Sequence, residues 1–227
     1  MSGGDPPALD VAWSRSPPAR AVRGVVLGGV FDPLMSIYTK RTVRGREHLD
    51  GIEPPVVFVA NHSSHMDTPA VLRALPARWR RRTVVAAAAD YFYKSRRLGW
   101  TVSLVFGTVP VARDGRGLDE ESTAHIRELF EDGWSLVMYA EGTRSRDGNI
   151  GRLRSGAAVL AAQHNLCLVP IHMSGSHKVM PVGRSWPKFQ RGFKRYPVEI
   201  DIGAPIQPTD DEHRSEVMER VRVHLES

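Results

Sequence analysis

Residues 56–67 read Val56-Val57-Phe58-Val59-Ala60-Asn61-His62-Ser63-Ser64-His65-Met66-Asp67. Val56 to Ala60 is apolar and mostly β-branched or aromatic. That run is too short for a buried helix and the right length for a strand covered on both faces. Asn61 to Asp67 is a largely polar turn. Thr68 to Leu75 then carries helical periodicity, with Pro69 in its first turn and Asp67 placed to cap it. A doubly buried strand passing through a short loop into a helix is the repeating unit of α/β folds.

Outward from this unit the pattern recurs. Thr83 to Ala89 reads as a second buried strand, residues 92–106 as a helix, and Thr108 to Ala112 as a short strand. Leu118 to Glu131 is helical and stops at Gly133, and Ser135 to Tyr139 is a third core strand. Arg154 to His164 is a helix, followed by a fourth core strand from Leu166 to His172. Val198 to Ile202 alternates like a strand nearer an edge, and Asp210 to Leu225 is a closing helix. This order predicts a single α/β domain with a mostly parallel, mixed central sheet flanked by helices. Residues 1–18, rich in Pro, Ser and Gly, are expected to form a mobile arm. Residues 19–44 hold a candidate membrane-proximal helix, basic at Arg20 and Arg23, apolar from Val25 to Phe31 and broken at Pro33. Lying on a bilayer and packing on the domain are both open for it. The folded domain is expected over 45–227.

The 227-residue chain carries 31 Lys and Arg against 25 Asp and Glu, and its pI is about 9.8. Such a balance favours anionic partners: nucleic acid, phosphorylated small molecules or an anionic membrane surface. One cysteine, Cys167, excludes an intrachain disulfide, and its apolar neighbours predict a buried thiol in a reducing compartment. No window holds the roughly 20 consecutive apolar residues of a spanning helix. The N-terminus lacks the charged, apolar and small-residue zones of a signal peptide. The expected location is the cytoplasm, peripherally on the cytoplasmic face of a membrane.

His62 and Asp67 invite two chemical readings. As a metal site, His62, His65 and Asp67 lack a fourth ligand at a standard spacing, so metal is not expected. As a base and its orienting group, an imidazole titrating near pH ~6.5 would be steadied by a carboxylate wrapped back beneath it. A capped polar turn is the third, inert reading. Three further stretches follow core strands. Glu141-Gly142-Thr143-Arg144-Ser145 offers a flexible glycine, hydroxyls and a guanidinium fork suited to phosphate. Gly107 to Arg113 ends an apolar piece in an arginine, and Val169-Pro170-Ile171 leads to Gly175.

Taken together and in this order, these stretches resemble the glycerolipid acyltransferase family, best known for the 1-acylglycerol-3-phosphate acyltransferases. The family's His-x4-Asp motif is matched by His62 and Asp67, its second-block arginine by Arg113, its third block by Glu141 to Ser145, and its fourth by Val169 to Gly175. The third block usually begins Phe-Pro, where this chain has Tyr139-Ala140. The resemblance implies a glycerol-3-phosphate acyltransferase-like fold, and acyl transfer from acyl-CoA or acyl carrier protein to a lysophospholipid hydroxyl. 1-Acylglycerol-3-phosphate is the expected acceptor. It implies no cofactor beyond the thioester co-substrate. His62 and Asp67 would be catalytic. Arg113, Glu141, Gly142, Thr143 and Arg144 would bind substrate, with amides of Gly142 and Thr143 adding to the phosphate cradle. No serine or cysteine stands out as a nucleophile, so direct transfer is favoured. Acylation of another hydroxyl, or hydrolysis by the same pair, remains open. Leu98 to Val105 suits either an acyl tunnel or ordinary helix core. Arg184 to Arg195 interleaves basic residues with Trp186, Phe189 and Phe193, a pattern shared by membrane surfaces, nucleic-acid sites and solvated loops. Arg78 to Arg82 is a second basic cluster around Trp79. Nucleic acid is not the expected partner, because it leaves the ordered motifs unexplained.

Overall fold

The computed structural model describes residues 11–89, 95–111, 120–209 and 211–227. Its centre is one seven-stranded sheet: β1 (Thr39–Arg44), β2 (Val57–Ala60), β3 (Thr83–Ala88), β4 (Thr108–Val111), β5 (Ser135–Tyr139), β6 (Leu168–Ser174) and β7 (Tyr196–Ile202). The spatial order is β1-β7-β6-β2-β5-β3-β4. Every neighbouring pair is parallel except β6 with β7, so the sheet is mixed and mostly parallel, as the sequence predicts.

β2 occupies the middle, between β5 and β6, which explains why all four of its residues are apolar and buried. Val57 and Val59 face a cluster with Leu129, Leu160 and Val221, and Phe58 and Ala60 face one with Leu72, Leu75 and Trp79. The two clusters are the two sides of the sheet, covered by helices α3 (Asp67–Ala74) and α4 (Ala77–Arg80) on one side, and by α6 (Glu120–Glu131), α7 (Gly156–Gln163) and α9 (Arg214–Leu225) on the other. Helix α5 (Arg96–Phe106) leads into β4, and the short α8 (Ser176–Val179) follows β6.

The N-terminal region departs from expectation. Residues 12–15 form a 3-10 turn with Val11 and Ser14 buried, so this part of the expected arm is packed. Helix α1 (Pro17–Val26) does not stop at Pro33. A π-turn over Leu27–Phe31 carries it into α2 (Asp32–Tyr38), with the Asp32 amide donating to the Leu27 carbonyl. The wider turn places Pro33 in the first turn of α2, where a missing N–H costs nothing. Without the break, Pro17 to Tyr38 is long and apolar enough, by length and composition alone, to cross a bilayer. Arg23 nevertheless ties it to the domain, donating to the carbonyls of Ser14 (2.8 Å), Ser103 (2.9 Å) and Leu104 (3.0 Å). Burial, with Arg20 nearby, pulls the Arg23 guanidinium down to about 10.

β1 lies within the segment expected to be membrane-proximal helix and linker. Its sequence, Thr39-Lys40-Arg41-Thr42-Val43-Arg44, is too polar to signal a strand, and the ladder with β7 is what makes it one. It takes the edge position, so β7 is interior to the sheet.

Candidate active site

β2 and β5 run side by side and end in register, Ala60 opposite Tyr139, so their loops leave the carboxyl edge of the sheet together. Such edges are where open α/β sheets bind ligands. The Asn61 side chain prolongs the ladder beyond β2. Its amide donates to the Met173 carbonyl (2.8 Å), and its oxygen accepts the Met173 amide (2.7 Å).

The loop then turns on Asp67. This residue is the first of α3 rather than its N-cap, and its carboxylate faces back into the loop. Oδ2 accepts from the amides of Ser63 (2.7 Å) and Ser64 (2.8 Å) and pairs with His62 Nδ1 at 2.8 Å. Two backbone donors and the imidazole thus meet on one oxygen of a carboxylate that is almost fully buried. An acceptor at Nδ1 selects the tautomer with its proton there and leaves the Nε2 lone pair free. The other oxygen, Oδ1, is buried without a hydrogen-bond partner among the described residues.

Four more contacts hold the loop. The His62 carbonyl accepts the Ser145 amide (2.7 Å), Ser63 Oγ lies 3.0 Å from Ser176 Oγ, and Ser64 Oγ donates to the Met180 carbonyl (2.9 Å). The His62 ring stacks on Tyr139 at 3.9 Å between centroids and 17° between planes. The Tyr139 hydroxyl lies 2.7 Å from Thr68 Oγ1 at the start of α3. Burial first, then the nearby Asp67 charge, pushes the Tyr139 phenol far above its usual range, so it stays neutral. Sequence reasoning noted Tyr139-Ala140 only as a departure from the family. The structure gives both residues a role, since the Ala140 amide donates to the Ala60 carbonyl (2.8 Å), a bond a proline lacks.

Two expected substrate-binding groups are used internally. Glu141 is buried; its Oε2 accepts the His62 amide (2.9 Å) and its Oε1 the Gly151 amide (2.7 Å). Each oxygen holds one backbone amide, and through Oε2 Glu141 fixes the start of the histidine loop. The Gly142 amide donates to the Tyr139 carbonyl (3.0 Å), which closes a turn at φ 69°. Glu141, Gly142, Thr143 and Arg144 all line the cavity that holds His62. Arg144 has no hydrogen-bond or ion-pair partner among the described residues. Its charge reaches His65, whose pKa is lowered by burial first and then by Arg144 and His62. Arg113 lies outside the described residues.

The cavity measures about 1680 Å³, above the ~300–1,000 Å³ of a typical single-ligand site. Its apolar lining includes Phe31, Leu34, Met35, Met66, Val102 and Phe106. The expected tunnel stretch therefore contributes Val102, whereas Leu98 is exposed. The cavity's basic lining includes Arg152, Arg154 and Arg214. Cys167 is half-buried, donates to Gln207 Oε1 (2.9 Å) and is not among the cavity's lining residues.

The basic cluster Arg78 to Arg82 is structural. Trp79 is buried against Phe58, and Arg78, Arg80 and Arg82 donate to the carbonyls of Leu49, Leu75 and Asp132. The segment from Arg184 to Arg195 differs: Trp186 and Phe193 are exposed, and Phe189 packs between Tyr38 and Phe193.

A buried acid paired with a histidine shares one cavity with an arginine that has no partner among the described residues. The sequence model of the family described as Acyltransferase matches residues 40–174, and the chain belongs to that family. Its relatives include two chloroplastic 1-acyl-sn-glycerol-3-phosphate acyltransferases, BAT2 of Brassica napus and LPAT1 of Arabidopsis thaliana. Each is 30% identical over 158 residues, covering 66% of this chain and 42% and 40% of the relative. The chain thus spans about two fifths of the length of these relatives. The 1-acyl-sn-glycerol-3-phosphate acyltransferase alpha of Homo sapiens is 29% identical over 136 residues, 58% of this chain and 44% of that protein. The crystal structure of PlsC from Thermotoga maritima, titled a 1-acyl-sn-glycerophosphate acyltransferase, superposes with a TM-score of 0.65 at 21% identity, covering 96% of this chain and 82% of that one. That likeness establishes the shared α/β fold.

Proposed function

We propose that this chain transfers a fatty acyl group from a thioester, acyl-CoA or acyl carrier protein, to the free hydroxyl of 1-acylglycerol-3-phosphate, giving phosphatidic acid. The observation that carries the reading is the His62–Asp67 contact of 2.8 Å at the wall of a cavity lined by both apolar and basic side chains. His62 Nε2 takes the hydroxyl proton as the oxygen attacks the thioester carbonyl. Asp67 stabilises the imidazolium that forms, and the proton passes to the departing thiolate. General-base help of this kind contributes about a hundredfold to ten-thousandfold. Arg144 meets the acceptor phosphate, acyl chains lie against the apolar lining, and the other lining arginines receive the phosphate-bearing donor carrier.

The same reading places the protein on a membrane surface. Val22, Val25, Val30 and Ile37 of the N-terminal helix, Leu98 and Trp100 of α5, and Trp186 and Phe193 are exposed. Among the exposed large apolar residues described, only Val223 lies off these elements. A helix lying flat keeps the three bonds of Arg23, and a spanning one breaks them, which supports the flat arrangement on the cytoplasmic face.

A panel of lysolipid acceptors with labelled acyl-CoA, read by product mass, tests the proposal. The expected result is phosphatidic acid from 1-acylglycerol-3-phosphate, with no product from His62→Ala. Thioester turnover indifferent to every acceptor would overturn transfer in favour of hydrolysis.

A further inference from the structure

A second cavity, of about 360 Å³, lies between edge strand β1, helix α3 and α2. Arg41, Arg46, Arg73 and Arg195 line it, with Lys40 beside them, and Asp32 is the one acid among the lining residues. Asp32 is committed to two of these cations: Oδ1 pairs with Arg41 at 2.7 Å and Oδ2 with Arg73 at 2.6 Å. Burial alone would raise the Asp32 carboxyl, but the bonds from Arg73 and Arg41 outweigh it and hold it below its usual range. Arg46 and Arg195 have no carboxylate partner among the described residues. Arg46 donates to the Ala74 carbonyl (2.7 Å) and Arg195 to the Ser36 carbonyl (3.3 Å), so each guanidinium keeps further donors for a ligand. Nearby, burial and then the charges of Arg73 and Arg81 lower Arg80, a sign of a local positive field.

The walls of this cavity belong to the elements that carry exposed apolar groups. Helix α2 bears Ile37, and the loop that ends in Arg195 bears Trp186 and Phe193. The Trp186 indole donates to the Tyr38 hydroxyl (3.0 Å), fastening that loop to α2. An arginine-lined hollow bordered by interfacial aromatics matches a lipid headgroup in both of its parts.

We propose that this cavity binds the phosphate of an anionic phospholipid headgroup, as a site separate from the reaction cavity. The two cavities share no lining residue, so the inference does not rest on the acyl-transfer reading. A bound lipid there would fix the protein's orientation on the bilayer while the other cavity turns over.

Co-sedimentation with vesicles of phosphatidylcholine, with and without phosphatidylglycerol, needs no turnover and so tests this site alone. The wild-type chain is expected to prefer the anionic vesicles, and Arg46→Gln with Arg195→Gln to weaken that preference about tenfold or more. The control removes the same charge elsewhere, with Arg127→Gln and Arg220→Gln, and is expected to change it less than about twofold. Equal losses in both pairs would mean diffuse charge and overturn the site. Inorganic phosphate supplies the second arm, read as a rise in thermal midpoint. Stabilisation by inorganic phosphate without preference for anionic vesicles would overturn the lipid source in favour of a free-phosphate site. If Arg46→Gln fails to fold, Arg195→Gln alone carries the test, because its long contact to Ser36 contributes little to the fold.

Discussion

Asp67→Asn isolates the charge of the orienting acid from its shape. In the wild-type chain all three donors, His62 Nδ1–H and the Ser63 and Ser64 amides, converge on Oδ2. Oδ1 has no hydrogen-bond partner among the described residues. An asparagine therefore fits with its oxygen at the Oδ2 position and its NH2 where no donor competes. The loop and the histidine tautomer are kept, and the negative charge is lost. The Nδ1–Oδ2 contact of 2.8 Å puts the imidazolium and carboxylate charge centres about 4 Å apart, worth about 4 kcal/mol at an effective dielectric constant near 20. Since that charge on His62 exists only once the hydroxyl proton has been taken, the loss falls on the transition state. At about 1.4 kcal/mol per decade, kcat should drop about a thousandfold with little change in either KM. The assay is single-turnover acyl transfer at saturating donor and acceptor, with circular dichroism to confirm the fold. A rate within tenfold of wild type, in a folded variant, would refute electrostatic assistance by Asp67.

Glu141→Gln replaces one acceptor with a donor facing an amide of His62 or Gly151. It should cost about 1–3 kcal/mol of stability, seen as a lowered thermal midpoint, and should reduce kcat more than it raises the acceptor KM. Arg144→Ala should raise the acceptor KM about tenfold or more, the worth of one charge-assisted contact to phosphate, and leave the donor KM unchanged. Asp32 ionises at lower pH in the folded chain than in the unfolded one, so its contribution to stability is complete above the ordinary carboxyl value of about 3.9 and is lost as pH falls through the lower folded value. Denaturant unfolding as a function of pH should therefore show a smaller loss on acidification in Asp32→Asn than in the wild type.

The α/β architecture was legible because its core strands carry their signal locally. Val57 to Ala60 and Ser135 to Tyr139 are apolar runs whose length and composition identify buried strands before any partner is known. β1 was not legible: only the ladder with β7 turns Thr39 to Arg44 into a strand. The N-terminal helix misled in the opposite direction, because a proline reads as a break unless the π-turn before it is visible. In the site, the spacing of His62 and Asp67 announced the pair. Both Arg144 and Glu141 line the cavity, and nothing in the sequence distinguished Arg144, without a partner among the described residues, from Glu141, whose oxygens accept two backbone amides.

The sequence by itself determined the sheet's central strands, the family and the histidine–aspartate pair, since each is read from short stretches and, for the family, from their order along the chain. Tertiary structure decided the backbone partners of Glu141, the stacking of Tyr139 on His62, and the gathering of Arg41, Arg46, Arg73 and Arg195 around one hollow. Those outcomes depend on contacts between distant segments, where a buried polar group takes whatever partner the packed chain brings within hydrogen-bond reach.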